Sequence, residues 1–174
     1  MPFNEKTKIL YLNHSLKDEY IRIECLRKGD VVKTYRHGYR KIDAIGRNIV
    51  INKPGVHTKC MYIMEKTGSN GLLEDLIMLG NHSILVDDLG EYQPTNEQLW
   101  GGTTPTLDKK YLLLAAASSQ FVPVQNTKPH VYYNLVLDNE NDDEVRFGIW
   151  ANGILTETPS KKLFAQQKII VRSK

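Results

Sequence analysis

A chain of 174 residues that is 41% hydrophobic and 25% charged can bury one core, and this composition excludes a disordered or fibrous protein. A net charge of +3, from 23 basic and 20 acidic residues, is too balanced for the basic field of a dedicated nucleic-acid binder. Cys25 and Cys60 make neither a disulfide framework nor a four-ligand zinc site, the first residues lack a signal-peptide layout, and no apolar run reaches the roughly 18 residues of a membrane span. The expectation is a soluble, cytoplasmic protein with no membrane partner.

The apolar residues come in short runs of strand length. In chain order, strands are expected over 7–12 ("TKILYL"), 20–26 ("YIRIECL"), 30–35 ("DVVKTY"), 40–51, 60–66, 75–79, 83–88, 111–117, 121–124, 131–137 and 146–151. Turn signals separate most of them, among them Lys28-Gly29-Asp30, Pro54-Gly55, Gly80-Asn81 and Asn152-Gly153. This spacing predicts an all-β fold rich in hairpins. Helix is expected in two places only: a turn near "PTNEQLW" (94–100), with Thr95 placed to cap it, and the segment "SKKLFAQQKI" (160–169). Gly90 to Asp108 reads as a loop inserted between strands. With no internal repeat, the chain divides into one domain, 1–159, and a basic tail, 160–174, expected to be solvated.

Few residues invite chemistry. His82, in "LGNHSILVDD" (79–88), stands between two apolar runs just after Gly80-Asn81, where it is either an acid or base at a strand edge or a polar residue beside a turn. Cys25 shares strand parity with Ile21 and Ile23, so burial as a small hydrophobe is expected, and the same is expected of Cys60. His14, His37, His57, His82 and His130 show no metal-ligand spacing, and no metal or cofactor is predicted. The acidic run "DNENDDE" (138–144) lacks the glycine and ligand spacing of a calcium loop and reads as a hairpin tip. Asp30 is expected to serve a turn.

Taken together, "IRIECLRKGDVVKTYRHGYRKI", "DLIMLGNHSILV", "YYNLVLDN" and "FGIWANGILTE" follow one another in an order that resembles the Hint family, the hedgehog/intein self-processing domains. The most specific parts are Ile23, Leu26, Gly29, Asp30 and Val32 at I-x-x-L-x-x-G-D-x-V spacing, the central His82, and the closing Ala151 to Leu155. In texture the chain is most similar to the Hint domains of large DNA viruses and protists. The resemblance implies a flattened all-β horseshoe. It also implies autoprocessing: a first cysteine or serine attacks the carbonyl just before it, and a histidine in a T-x-x-H motif protonates the departing nitrogen.

Against that pattern, the nucleophile position aligns with Pro2, the threonine of T-x-x-H with Leu79, and the terminal His-Asn of inteins with Glu157-Thr158. A histidine that some members carry before the last strand aligns near Phe147. Proline has no nucleophilic side chain, Thr158 cannot cyclise as asparagine does, and with only Met1 ahead no polypeptide is expected to be released. His82 therefore reads as a former catalytic residue retained in place, in a degenerate processing domain. Two alternatives stand beside this reading. One is an active domain whose cysteine lies upstream or was lost when this boundary was set, its partner being its own flanking polypeptide; the other is a recruited module with a protein or small-molecule partner. A Pro2 amine freed by loss of Met1, as some tautomerases use, has no further support in the chain.

Overall fold

The computed structural model describes residues 1–167, 170 and 171. Fifteen strands follow in chain order: β1 (Phe3–Asn4), β2 (Lys8–Leu12), β3 (Asp18–Arg22), β4 (Val31–Lys33), β5 (Tyr39–Ile51), β6 (Met61–Met64), β7 (Leu76–Leu79), β8 (Ser83–Val86), β9 (Thr106–Leu107), β10 (Lys110–Leu114), β11 (Val122–Pro123), β12 (Pro129–Leu137), β13 (Gly148–Ala151), β14 (Ile154–Glu157) and β15 (Ile170–Val171). Two helices interrupt them, α1 (Gln93–Trp100) and α2 (Lys161–Gln166). The protein is all-β, and every strand pairing is antiparallel.

The hydrogen-bonded path runs β11-β6-β7-β1-β12-β5-β4-β2-β13-β14-β8-β10-β9, with β3 on β2 and β15 on β5. Its order is far from chain order, and that places the site. β1 is held between β7, where Phe3 faces Met78, and β12, where it faces Tyr133. β14 lies beside β8 through Thr156 and Ile84. The chain's first strand, the segment after β7 and the end of β14 are thereby brought to one place.

The residues of the I-x-x-L-x-x-G-D-x-V spacing explain themselves. Ile23, Leu26 and Val32 are fully buried. Gly29 adopts φ 93°, a left-handed value that glycine accepts without steric penalty. Asp30 accepts the Arg27 amide at 2.8 Å, the turn role expected of it. The acidic run is likewise a turn: the Asn139 side chain donates to the Asp142 carbonyl, and Glu140 and Asn141 take left-handed φ.

Three expectations fail for identifiable reasons. The strand predicted over 20–26 ends at Arg22 and gives way to a 3₁₀ turn over Ile23–Cys25, which breaks the alternation, so Cys25 is exposed while Cys60 is buried. The helix expected near 94–100 forms, as α1 from Gln93 with Pro94 in its first turn and Gly101 closing it at φ 75°, but Thr95 lies inside it and does not cap it. The tail is only partly solvated. Ser160 caps α2 by accepting the Leu163 amide, Phe164 is buried, and Ile170 pairs with Arg47 of β5; the predicted helix positions 168 and 169 lie outside the described residues.

Asn96 fastens α1 to the sheet. Fully buried, it donates to the Leu112 carbonyl and the Thr104 hydroxyl and accepts the Leu114 amide, at 2.9–3.0 Å. Asn96→Ala strands the Leu114 amide and the Thr104 hydroxyl, and urea unfolding should show a loss of about 2–3 kcal/mol.

Candidate functional site

The segment after β7 is fixed from both sides before any side chain is considered. The Gly80 amide donates to the Cys60 carbonyl and the Gly80 carbonyl accepts the Ala116 amide, both at 3.0 Å. The His82 amide turns back to the Leu79 carbonyl and the His82 carbonyl accepts the Ala115 amide, both at 2.9 Å. A Cβ at position 80 would meet the His57 carbonyl and the Tyr62 ring at 2.6 Å, so only glycine allows this approach. Leu79 is buried in β7 opposite Met61, and its contribution at His82 is its carbonyl.

His82 is fully buried with the Phe3 ring edge-on at 4.4 Å. Its Nε2 lies 2.9 Å from the Glu157 carbonyl oxygen and its Nδ1 lies 3.2 Å from the Pro2 carbonyl oxygen. Both neighbours only accept, and a neutral imidazole carries one N–H. The shorter contact assigns that proton to Nε2, which leaves the Nδ1 lone pair facing Pro2. Burial pulls the imidazole pKa down to about 3, the Met1 amine lowers it further, and the two carbonyls oppose both. The ring is therefore neutral across the physiological range.

A second group adjoins it. Glu157 is fully buried, with Oε2 3.0 Å from Arg146 Nη1. Burial raises its carboxyl pKa, while Arg146, the Met1 amine and the Ser83 hydroxyl oppose the shift. Ser83 lies against the carboxyl, yet Ser83 Oγ, Glu157 Oε1 and the nearby Asn81 Oδ1 complete no well-formed hydrogen bond. The Met1 amine is buried and its pKa falls to about 5, chiefly through desolvation; the Met1 sulfur is 3.8 Å from Arg146 Nη1. Thr158 is tied down by Phe147, whose amide it accepts at 3.0 Å and to whose carbonyl it donates at 2.9 Å.

Pro2, His82, Glu157 and Thr158, singled out from the sequence, thus lie together, and Phe147 joins them through Thr158. Arg146, Ser83 and Met1 are additions. Arg146 was legible in principle: a hairpin turning at Asn152-Gly153 sets Gly148 opposite Glu157, which leaves a basic and an acidic residue near one another at its open end. The remaining histidines are elsewhere; His37 pairs with Asp108 at 2.9 Å and His130 meets Asn126 at 3.0 Å. Among the described residues no group of three or more His, Cys, Asp or Glu side chains is placed to hold a metal ion. No helix is long and apolar enough to cross a membrane among the described residues. Comparison with models of known protein families and with curated proteins finds no match.

Chemically, the centre presents a neutral imidazole to a peptide carbonyl away from the surface. Pro2 supplies no nucleophile, and the Thr158 hydroxyl is engaged with the backbone.

The folded His82 pKa lies below the ordinary value of 6.5, so the unfolded chain takes up this proton first. Stability from the neutral ring is fully present above about pH 6.5 and drains away as pH falls towards 3, by about 3 kcal/mol at pH 4. Glu157, with its raised pKa, acts oppositely as pH rises above its unfolded value. His82→Gln removes the first contribution and keeps the second. Urea midpoints measured from pH 7 to pH 4 should therefore fall more for the wild type than for His82→Gln.

Proposed function

We propose that the chain is a Hint-type self-processing domain that has lost its first nucleophile and persists as an intracellular binding or structural module, with a protein as its partner. The observation that carries this reading is the histidine ring set between the backbone of Pro2, at the nucleophile position, and that of Glu157, at the closing position. Two details add support. Lys6, which aligns with the glycine of the family's opening C-F/L-x-x-G-T-x-I when Pro2 takes the first position, adopts φ 71°, so the left-handed turn is kept after the residue changed. Asn152 and Gly153, at φ 46° and 98°, form the tight turn that the A-N-G-I-L ending requires. The long β5–β12 ribbon and the non-sequential strand path suit the family's flattened horseshoe. An active domain with its cysteine further upstream fits less well, since the backbone that His82 meets is that of residue 2.

In an active relative of this kind the first side chain would attack the preceding carbonyl carbon, the peptide C–N bond would break, and the histidine would deliver a proton to the leaving nitrogen. Here Pro2 offers no attacking atom, while the acid's seat is kept by backbone hydrogen bonds that do not involve the Pro2 side chain. The defect is local.

It should therefore be repairable in part. With Pro2→Cys, Leu79→Thr and an unrelated folded protein fused ahead of position 2, dithiothreitol should release that protein through a thioester, and His82→Ala in the same background should abolish release. The unaltered chain should keep its intact mass under dithiothreitol or hydroxylamine. Recovery is expected to be incomplete, since catalytic groups need placement within about 0.5 Å. A folded, repaired fusion that does not cleave, or that cleaves equally well without His82, would overturn the assignment.

A further inference from the structure

The insert that carries α1 has no part in the His82 centre, yet it lines two of three neighbouring surface clefts. The first, of about 470 Å³, opens beside the end of β6 and is bordered by Gln120. Gln120 also borders a second, of about 420 Å³, and Asp88 and Leu89 are shared between that one and a third, of about 210 Å³, under α1. The clefts are therefore immediate neighbours on the surface. They lie at the ends of β6 and β8 farther from His82, since β8 runs outward from Ser83 to Val86.

Two features of the lining go together. Its charged side chains are all acidic: Glu65 in the first cleft, Asp88 and Glu91 in the second, Glu97 in the third. Among the described residues no lysine or arginine lines any of the three. Among the described residues no ion pair neutralises these four carboxylates, although Asp87 next door is paired with Lys110. The floor between them is apolar, formed by Ile63, Met64 and Val122 in the first cleft and by Val86, Leu113 and Tyr92 in the second. Val122 leaves 57% of its surface exposed, in a strand of two residues at one end of the sheet path.

We propose that these three clefts form one docking groove for an extended polypeptide segment that alternates apolar and basic side chains. Charge complementarity selects the occupant. Unpaired carboxylates repel nucleic acid, and a small cation would leave the apolar floor open to water. An extended chain advances about 3.3 Å per residue and sends successive side chains to opposite faces, so one set can cover the floor while the other reaches Glu65, Glu91 and Glu97 at the rim. This inference stands independently of the reading given to His82.

The probe is a fluorescein-labelled, end-blocked heptapeptide of alternating leucine and lysine, titrated with the full chain and followed by anisotropy. It should bind, weaken as salt is raised, and lose affinity by about tenfold or more against Glu65→Lys/Glu91→Lys. Both positions are exposed, so the melting temperature of this variant should match the wild type. A leucine–glutamate peptide should not bind, and a serine–lysine peptide should bind more weakly than leucine–lysine. The proposal is overturned if leucine–lysine fails to bind the wild type or binds the charge-reversed variant equally well. It is also overturned if serine–lysine binds as tightly as leucine–lysine, which would make the rim a simple counter-ion surface. The salt and peptide series decide the matter without the variant.

Discussion

One imidazole ring, sealed from water and set between two backbone carbonyls, is the constraint around which the molecule is organised. His82 meets Pro2 from the beginning of the sheet and Glu157 from its last hairpin, so a single side chain reports on the closure of a path that visits nearly every strand. Holding a neutral ring against two acceptors leaves one of its nitrogens facing an oxygen without a proton, an arrangement that persists only because its surroundings are over-determined. The surroundings meet that condition: four backbone hydrogen bonds pin positions 80 and 82, and Phe3 closes the remaining side.

The pair of partly exposed Arg146 with fully buried Glu157 extends the same logic one layer outward. A carboxyl with no exposure must be partnered or protonated, and both tendencies are visible: Arg146 engages one oxygen while burial raises the pKa. Ser83 and the Met1 amine complete a polar island inside an otherwise apolar core. Such an island contributes little net stability and a good deal of positional specificity, because each member fixes the orientation of the next. The loss of a nucleophile at Pro2 under the proposed reading leaves this framework standing, since the framework is made of backbone and of side chains other than that one.

Strand content was legible from the sequence because the apolar runs are short and bounded by Gly, Pro and Asn, and β5, β7 and β12 lie almost where the runs put them. The meeting of Pro2, His82 and Glu157 was legible only through the order of motifs; no local period brings residues so far apart in sequence together. What escaped was decided by tertiary contact. Cys25 lost its strand parity to a 3₁₀ turn that leads Leu26 into the core. α1 was expected near 94–100, but not its anchor, the buried Asn96 bonded to β10, which accompanies the packing of Leu99 and Trp100 on the core. Arg146 required knowing the register of a hairpin, which the Asn152-Gly153 turn supplies once it is taken as the pivot.

The strand path also has a consequence for the order in which the chain can be made. β1 is made well before its two neighbours, β7 and β12, whereas β2 can pair at once with β3 and β4 and gains β13 only late. β1 therefore stays unpaired at least until β7 has been made, and the central ribbon of β5 with β12 cannot close before residue 129 has emerged. High sequence separation of this kind makes folding slow and leaves strand edges open in the meantime. Open β-edges therefore persist on the growing chain until β12 and β13 have been made.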